Sequence, residues 1–201
     1  MKNYFALGCL LSVFMAGCSG PEPAGQEKKV EKAAEPVSGQ SALYKMYQVA
    51  RSWAPDAQIV KMNSLALSEV KPAPGKSGAW QAYFASDEKG KVRSYTYSVV
   101  EAEPIAHLGV FAGAQDPWSA RDQEFAIATV KIDTDAALKT AEGKAAVYKH
   151  QTEGKPISFL LERTKRSQNP AWRVVWGESV GTATLSVYVD AMTGDYLETL
   201  H

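Results

Sequence analysis

Two stretches set 92 residues apart open on Ala-Trp and then alternate apolar with polar side chains, a period that leaves little choice of architecture. From Ala79 to Ser86, Trp80, Ala82 and Phe84 alternate with Gln81, Tyr83 and Ala85. Asp87-Glu88-Lys89-Gly90 supplies a hairpin turn, and Lys91 to Glu101 returns with Tyr95, Tyr97 and Val99 in phase. In the second stretch Trp172, Val174 and Trp176 alternate with Arg173, Val175 and Gly177. Gly181 closes a turn, and Thr182 to Asp190 returns with Leu185, Val187 and Val189 on one side. One apolar and one polar face at a period of two indicate antiparallel sheet packed on one side.

A helical pattern precedes each strand pair. Ser41 to Ala54 sets Leu43, Met46, Tyr47, Ala50, Trp53 and Ala54 at i, i+3, i+4 and i+7 spacing, and Pro55 stops it. Asp133-Thr134-Asp135 offers a cap before Ala137, Leu138, Ala141, Ala145 and Tyr148, which keep the same spacing. Gly143 costs that helix about 1 kcal/mol and marks a place for a bend or an end. Two copies of helix plus antiparallel strands predict an α+β fold in which each helix lies across a sheet.

The amino terminus has a separate logic. Lys2 is positive, and Tyr4 to Met15 is apolar but shorter than the about 20 residues a membrane span needs. Ala16 and Gly17 then place small residues directly before Cys18. Met15-Ala16-Gly17-Cys18 resembles the bacterial lipobox, with Met15 where Leu is commoner. The resemblance implies that residues 1–17 are a lipoprotein signal peptide, removed before Cys18, and that the Cys18 thiol and new amino terminus carry fatty chains such as palmitate. It implies a membrane as one partner and, through Ser19, the outer membrane facing the periplasm. Cys9 leaves with the signal, so Cys18 is the one cysteine of the mature chain and no internal disulfide supports the fold. Residues 18–40 read as a flexible linker, Pro-Glu-Pro-Ala-Gly followed by Glu-Lys-Lys-Val-Glu-Lys, with Val30 and Val37 as its large aliphatic residues. Such a stretch buries too little apolar area to offset its ordering entropy, and it spans roughly 25 Å as a coil.

Asn169-Pro170-Ala171-Trp172-Arg173-Val174, followed by Ser186-Val187-Tyr188-Val189-Asp190-Ala191-Met192-Thr193-Gly194-Asp195-Tyr196-Leu197, resembles the PepSY pattern of a Pro-x-Trp-x-Val strand and a Tyr-Val-Asp-x-x-Thr-Gly hairpin. Thr193-Gly194 gives that hairpin a left-handed turn residue. The likeness covers 133–200. In residues 41–103 it rests on Trp80 and Tyr97, with Glu101-Ala102-Glu103-Pro104 where the Asp-x-x-Thr-Gly turn would stand. The expected organisation is therefore two tandem PepSY-like, or cystatin-like, units at 41–105 and 106–201. Their plan is similar to the β-lactamase-inhibitor-protein fold. These families imply recognition of a protein or peptide partner, with inhibition or regulation of a peptidase or other hydrolase as one form of it.

A formal net charge of zero and 22 % charged residues leave no basic excess for nucleic acid. Gly177-Glu178-Ser179-Val180-Gly181 satisfies the Gly-x-Ser-x-Gly pattern, with Asp190 and His201 following, yet it joins two strands where a nucleophile elbow needs a strand-to-helix turn. Pro74-Gly75-Lys76-Ser77 lacks the first glycine and the helix of a phosphate loop. His107, His150 and His201 stand apart in the sequence without zinc spacing. Asp133 and Asp135 suit a helix start better than a calcium loop. The reading is a non-enzyme with no cofactor and no metal. Tyr83, Val175 and Tyr188, in phase opposite to the tryptophans, are the candidate binding face if exposed together. A small-ligand or cell-wall-binding lipoprotein with a pocket between helix and sheet is the competing expectation.

Overall fold

The phase that carries the tryptophans is buried in each alternating stretch, and that fixes where the helices sit, while residues 170–176 and 185–190 bury most of the opposite phase as well. In the computed structural model, which describes residues 34–119, 123–165 and 167–201, the elements run β1 (Val37–Ser38), α1 (Gly39–Trp53), β2 (Gln58–Leu65), β3 (Lys76–Ser77), β4 (Ala79–Ser86), β5 (Lys91–Ser98) and β6 (Gly109–Pro117). They continue through α2 (Thr134–Ala145), α3 (Lys149–Thr152), β7 (Ile157–Arg163), β8 (Pro170–Trp176), β9 (Leu185–Asp190) and β10 (Tyr196–Leu200). The signal peptide, Cys18 and most of the expected linker lie outside the described residues.

Eight strands make one antiparallel sheet in the order β10-β9-β8-β7-β2-β4-β5-β6, so the architecture is α+β. In chain order, α1 and four sheet strands come first, then α2 and four more. The first strand of each set, β2 and β7, closes the sheet through Lys61↔Glu162, Met62↔Leu161 and Asn63↔Leu160. β6 pairs with β5, so residues 109–117, inside the expected 106–201 unit, extend the first set of strands. Residues 37–40, expected in the linker, enter β1 and the first turn of α1.

Both helices lie on one face, α1 over β4 and β5, α2 over β8 and β9. They share a single core. Leu43, Met46 and Ala50 of α1 join Ala137, Leu138 and Ala141 of α2 over Met62, Trp80, Phe84, Leu161, Trp172, Val174 and Val187. Trp80 and Trp172 meet edge to face with ring centroids 6.4 Å apart. Each indole also makes the same polar contact. Trp80 Nε1 donates to the Val37 carbonyl at 3.1 Å, and Trp172 Nε1 donates to the Ile132 carbonyl at 2.8 Å. Each acceptor immediately precedes a helix N-cap, Ser38 for α1 and Asp133 for α2.

The two helix starts therefore converge above the paired tryptophans. Asp133 Oδ1 accepts the amides of Thr134 at 2.7 Å and Gln40 at 2.9 Å, and its Oδ2 accepts the Ser38 hydroxyl at 2.6 Å. One carboxylate satisfies orphan donors of both helices. The Gly39 amide donates to Thr134 Oγ1 at 2.9 Å, and a Cβ on Gly39 would stand 2.7 Å from Thr134 and 2.8 Å from the Trp172 ring. Only glycine fits there.

Candidate binding face

The sheet face opposite the helices carries the polar phase of every central strand. Among the described residues no helix packs on it. Its middle row draws on five strands, with side-chain contacts between β2 and β4 on one side and among β7, β8 and β9 on the other. The Lys61 ammonium of β2 lies 4.7 Å from the centre of the Tyr83 ring on β4, and Tyr83 Oη donates to Gln81 Oε1 at 3.2 Å. Across the seam Lys61 is the register partner of Glu162. Glu162 Oε1 accepts the Tyr188 hydroxyl at 2.8 Å, and the Arg173 guanidinium rests over the Tyr188 ring at 5.4 Å. Arg173 Nε is buried and has no hydrogen-bond partner. Burial, with the Glu162 hydrogen bond and charge behind it, pushes the Tyr188 phenol up to about 12, while Arg173 pulls the other way.

This arrangement corrects the expected strip of Tyr83, Val175 and Tyr188. All three lie on the outer face, but Val175 is 1 % exposed and Tyr188 8 % exposed. Tyr188 is held under Arg173 and against Glu162, and Val175 lines a groove shared with the Glu178–Val180 turn. Tyr83 stays half-buried. The accessible chemistry of the face is instead that of Gln81 and Tyr83 together with Lys61, Asn63, Leu160 and Glu162, the last four lining a groove of about 300 Å³ at the seam. Alternation set Gln81 and Tyr83 in one phase, but the sequence carried no sign that β2 and β7, a hundred residues apart, would lie side by side.

The remaining candidates are engaged elsewhere. Ser179 caps a one-turn 3-10 helix in the β8–β9 connection, its hydroxyl 3.3 Å from Thr182 Oγ1. His201 Nδ1 lies 3.1 Å from Gln151 Oε1, and His150 Nε2 lies 3.2 Å from Gln151 Nε2. Asp190 Oδ1 accepts the Met192 and Thr193 amides at 2.8 and 3.0 Å, while its Oδ2 accepts from Ser167 and Asn169. Burial alone would raise the Asp190 carboxyl; those four donors outweigh it and hold the group below its ordinary value. The turn Asp190 shapes, with Gly194 left-handed at φ 83°, presents the Ala191 carbonyl to the Lys131 and Ile132 amides, both at 2.9 Å. The Asp-x-x-Thr-Gly motif thus positions the start of α2. Gly75, φ 68°, packs against Asp135 and accepts the Thr134 hydroxyl, which makes the Pro74–Ser77 loop a prop for the same helix start.

His107, isolated in sequence, meets two glutamates: its Nδ1 is 2.6 Å from Glu101 and 3.8 Å from Glu103, all three exposed. Glu101 also accepts the Leu108 amide at 2.9 Å. These bonds close the hairpin between Ala102 and Ala106. The Leu108 amide, with the His107 ring second, lowers the Glu101 carboxyl.

No protein-family model matches the chain, and no curated protein does. Among solved structures it is similar to a putative lipoprotein from Clostridium difficile 630, with a TM-score of 0.50 and 8 % identity over 85 % of this chain and 95 % of that one. At that identity the likeness is one of fold.

Proposed function

We propose that this protein is a lipid-anchored protein of the cell envelope that binds a protein or peptide partner on the sheet face its helices leave open. The observation that carries the reading is the row Tyr188, Arg173, Glu162, Lys61 and Tyr83, held by stacking and hydrogen bonds on either side of the β2–β7 seam, on a face that carries no α-helix among the described residues. Tyrosine and arginine with a few half-buried apolar groups is the composition of interface centres. Support for the anchor comes from the lipobox-like Met15-Ala16-Gly17-Cys18 and from the similar fold of a chain described as a lipoprotein. The two sets of helix and four strands are read as a duplicated PepSY-like unit. The twin tryptophan contacts with Val37 and Ile132 support that reading. A hydrolase is the partner class this kinship suggests, and the groove of about 300 Å³, at the small end of ligand sites, is what favours the small-ligand alternative.

A photo-crosslinking amino acid placed at Tyr83 in intact cells tests the face. A discrete adduct should form there and not from Val49, which is exposed on α1. Adducts of equal yield at both positions, or none at Tyr83, would remove the sheet face as the binding surface.

A further inference from the structure

The ladder between the two strand sets is short, and where it stops the edge of β7 lies open. Pairing ends at Asn63↔Leu160. The next rung would set Ser64 against Phe159; instead the Ser64 hydroxyl accepts the Phe159 amide at 2.9 Å. β2 finishes at Leu65, whose carbonyl is taken by the Ser77 hydroxyl at 2.8 Å. On the other side of β7 the Pro156 carbonyl accepts the Gly177 amide at 2.8 Å. Backbone groups of an antiparallel strand alternate between its two neighbours, so those of Ile157, Phe159 and Leu161 point toward β2. The Ile157 amide and carbonyl thus project past the last rung, without a partner among the described residues, on a residue 38 % exposed.

Two grooves flank this open edge, one on each face of the sheet. The outer one, about 300 Å³, is lined by Asn63, Ser158, Leu160 and Val175. The one on the helix side, about 290 Å³, is lined by Leu138, Ile157 and the Pro72–Lys76 loop. Phe159 borders both. A free strand edge with a groove above and below matches the requirements of strand addition, in which main-chain hydrogen bonds hold an extended segment and alternate side chains enter alternate faces. The rim of the helix-side groove carries Lys76 and Lys155 against the single carboxylate of Glu142, and neither lysine is ion-paired among the described residues.

We propose that an extended peptide segment adds to β7 at Ile157, placing an apolar side chain against Leu138 and Phe159 and an acidic one toward Lys76 and Lys155. The inference rests on the peptide-binding reading and specifies where and how the segment is held. Short random peptides displayed on phage and selected on the full chain provide the probe, with enriched sequences synthesised and measured by fluorescence anisotropy. They should combine alternating apolar positions with an adjacent acid. Ile157→Pro, which removes an amide that bonds nothing within the protein, should weaken them about tenfold, the loss of one hydrogen bond, whereas Ile157→Val leaves them unchanged. Lys76→Glu with Lys155→Glu, both on exposed sites, should weaken them as well, and an unchanged melting temperature shows that each variant is folded. Absence of any enriched sequence, or peptides that bind Ile157→Pro as tightly as the wild type, would overturn strand addition. Peptides lost on Tyr83→Ala yet retained by Ile157→Pro would also overturn it, while leaving the sheet face as the binding surface.

Discussion

Asp190 shows how one side chain can serve the fold more than the surface. Its carboxylate receives two backbone amides and two side-chain donors, and the turn it shapes lends the Ala191 carbonyl to the approach to α2. Because the folded state holds this carboxyl below its ordinary value, its stabilisation is fully present above the unfolded carboxylate pKa of about 4 and is lost as pH falls through the lower folded value. Replacement by Asn keeps an acceptor but removes the charge. Asp190→Asn should therefore lower stability by about 2 kcal/mol at neutral pH and lose less on acidification than the wild type. Urea unfolding midpoints at neutral pH and at about pH 3 check both points; parallel pH dependences for the two proteins would remove the role.

At the scale of elements, the informative feature is the meeting of the two helix starts. A cap normally satisfies donors of its own helix, but Asp133 satisfies α2 through Thr134 and α1 through Gln40 and Ser38. Asp133→Ala should cost about 2 kcal/mol, the top of the range for a single cap, and lower the melting temperature by about 4–8 °C for a chain of this size. Ser38→Ala, which leaves both amide bonds to Asp133 in place, should cost distinctly less in the same calorimetric comparison. Much of this level was readable in advance. Leu43, Met46 and Ala50, Ala137, Leu138 and Ala141, and the inner phase of the strands around Trp80 and Trp172 are all buried, and a one-sided environment writes itself into periodicity. β6 was not readable. Gly109-Val110-Phe111-Ala112-Gly113-Ala114 has two glycines and two alanines in six residues with Phe111 exposed, and a register shift opposite Arg93–Tyr95 breaks its phase. The burial of Val175 and Tyr188 was equally silent. It comes from Arg173, Glu162 and the Glu178–Val180 turn, contacts set by tertiary packing rather than by any local pattern.

For the whole molecule, the binding proposal gives recognition to the sheet and support to the helices. α1 and α2 spend their apolar faces on one core, which leaves the opposite sheet face without an α-helix among the described residues, and the chain enters the folded body at Val37, where β1 pairs with β3. Eighteen residues, 19–36, lie between that point and Cys18. An acylated Cys18 would confine the body to the membrane and raise its effective concentration toward partners there. The arrangement depends on Cys18 being acylated, since one fatty chain binds a membrane reversibly and durable anchoring needs more than one. Cells fed an alkyne fatty acid should incorporate it into the wild-type protein, whose mature form should begin at Cys18 by mass spectrometry. Cys18→Ser should abolish incorporation while the folded body keeps its melting temperature, because the core contains no cysteine. A mature chain that begins elsewhere, or label that survives Cys18→Ser, would detach this protein from the envelope reading and leave the sheet face to be explained in another compartment.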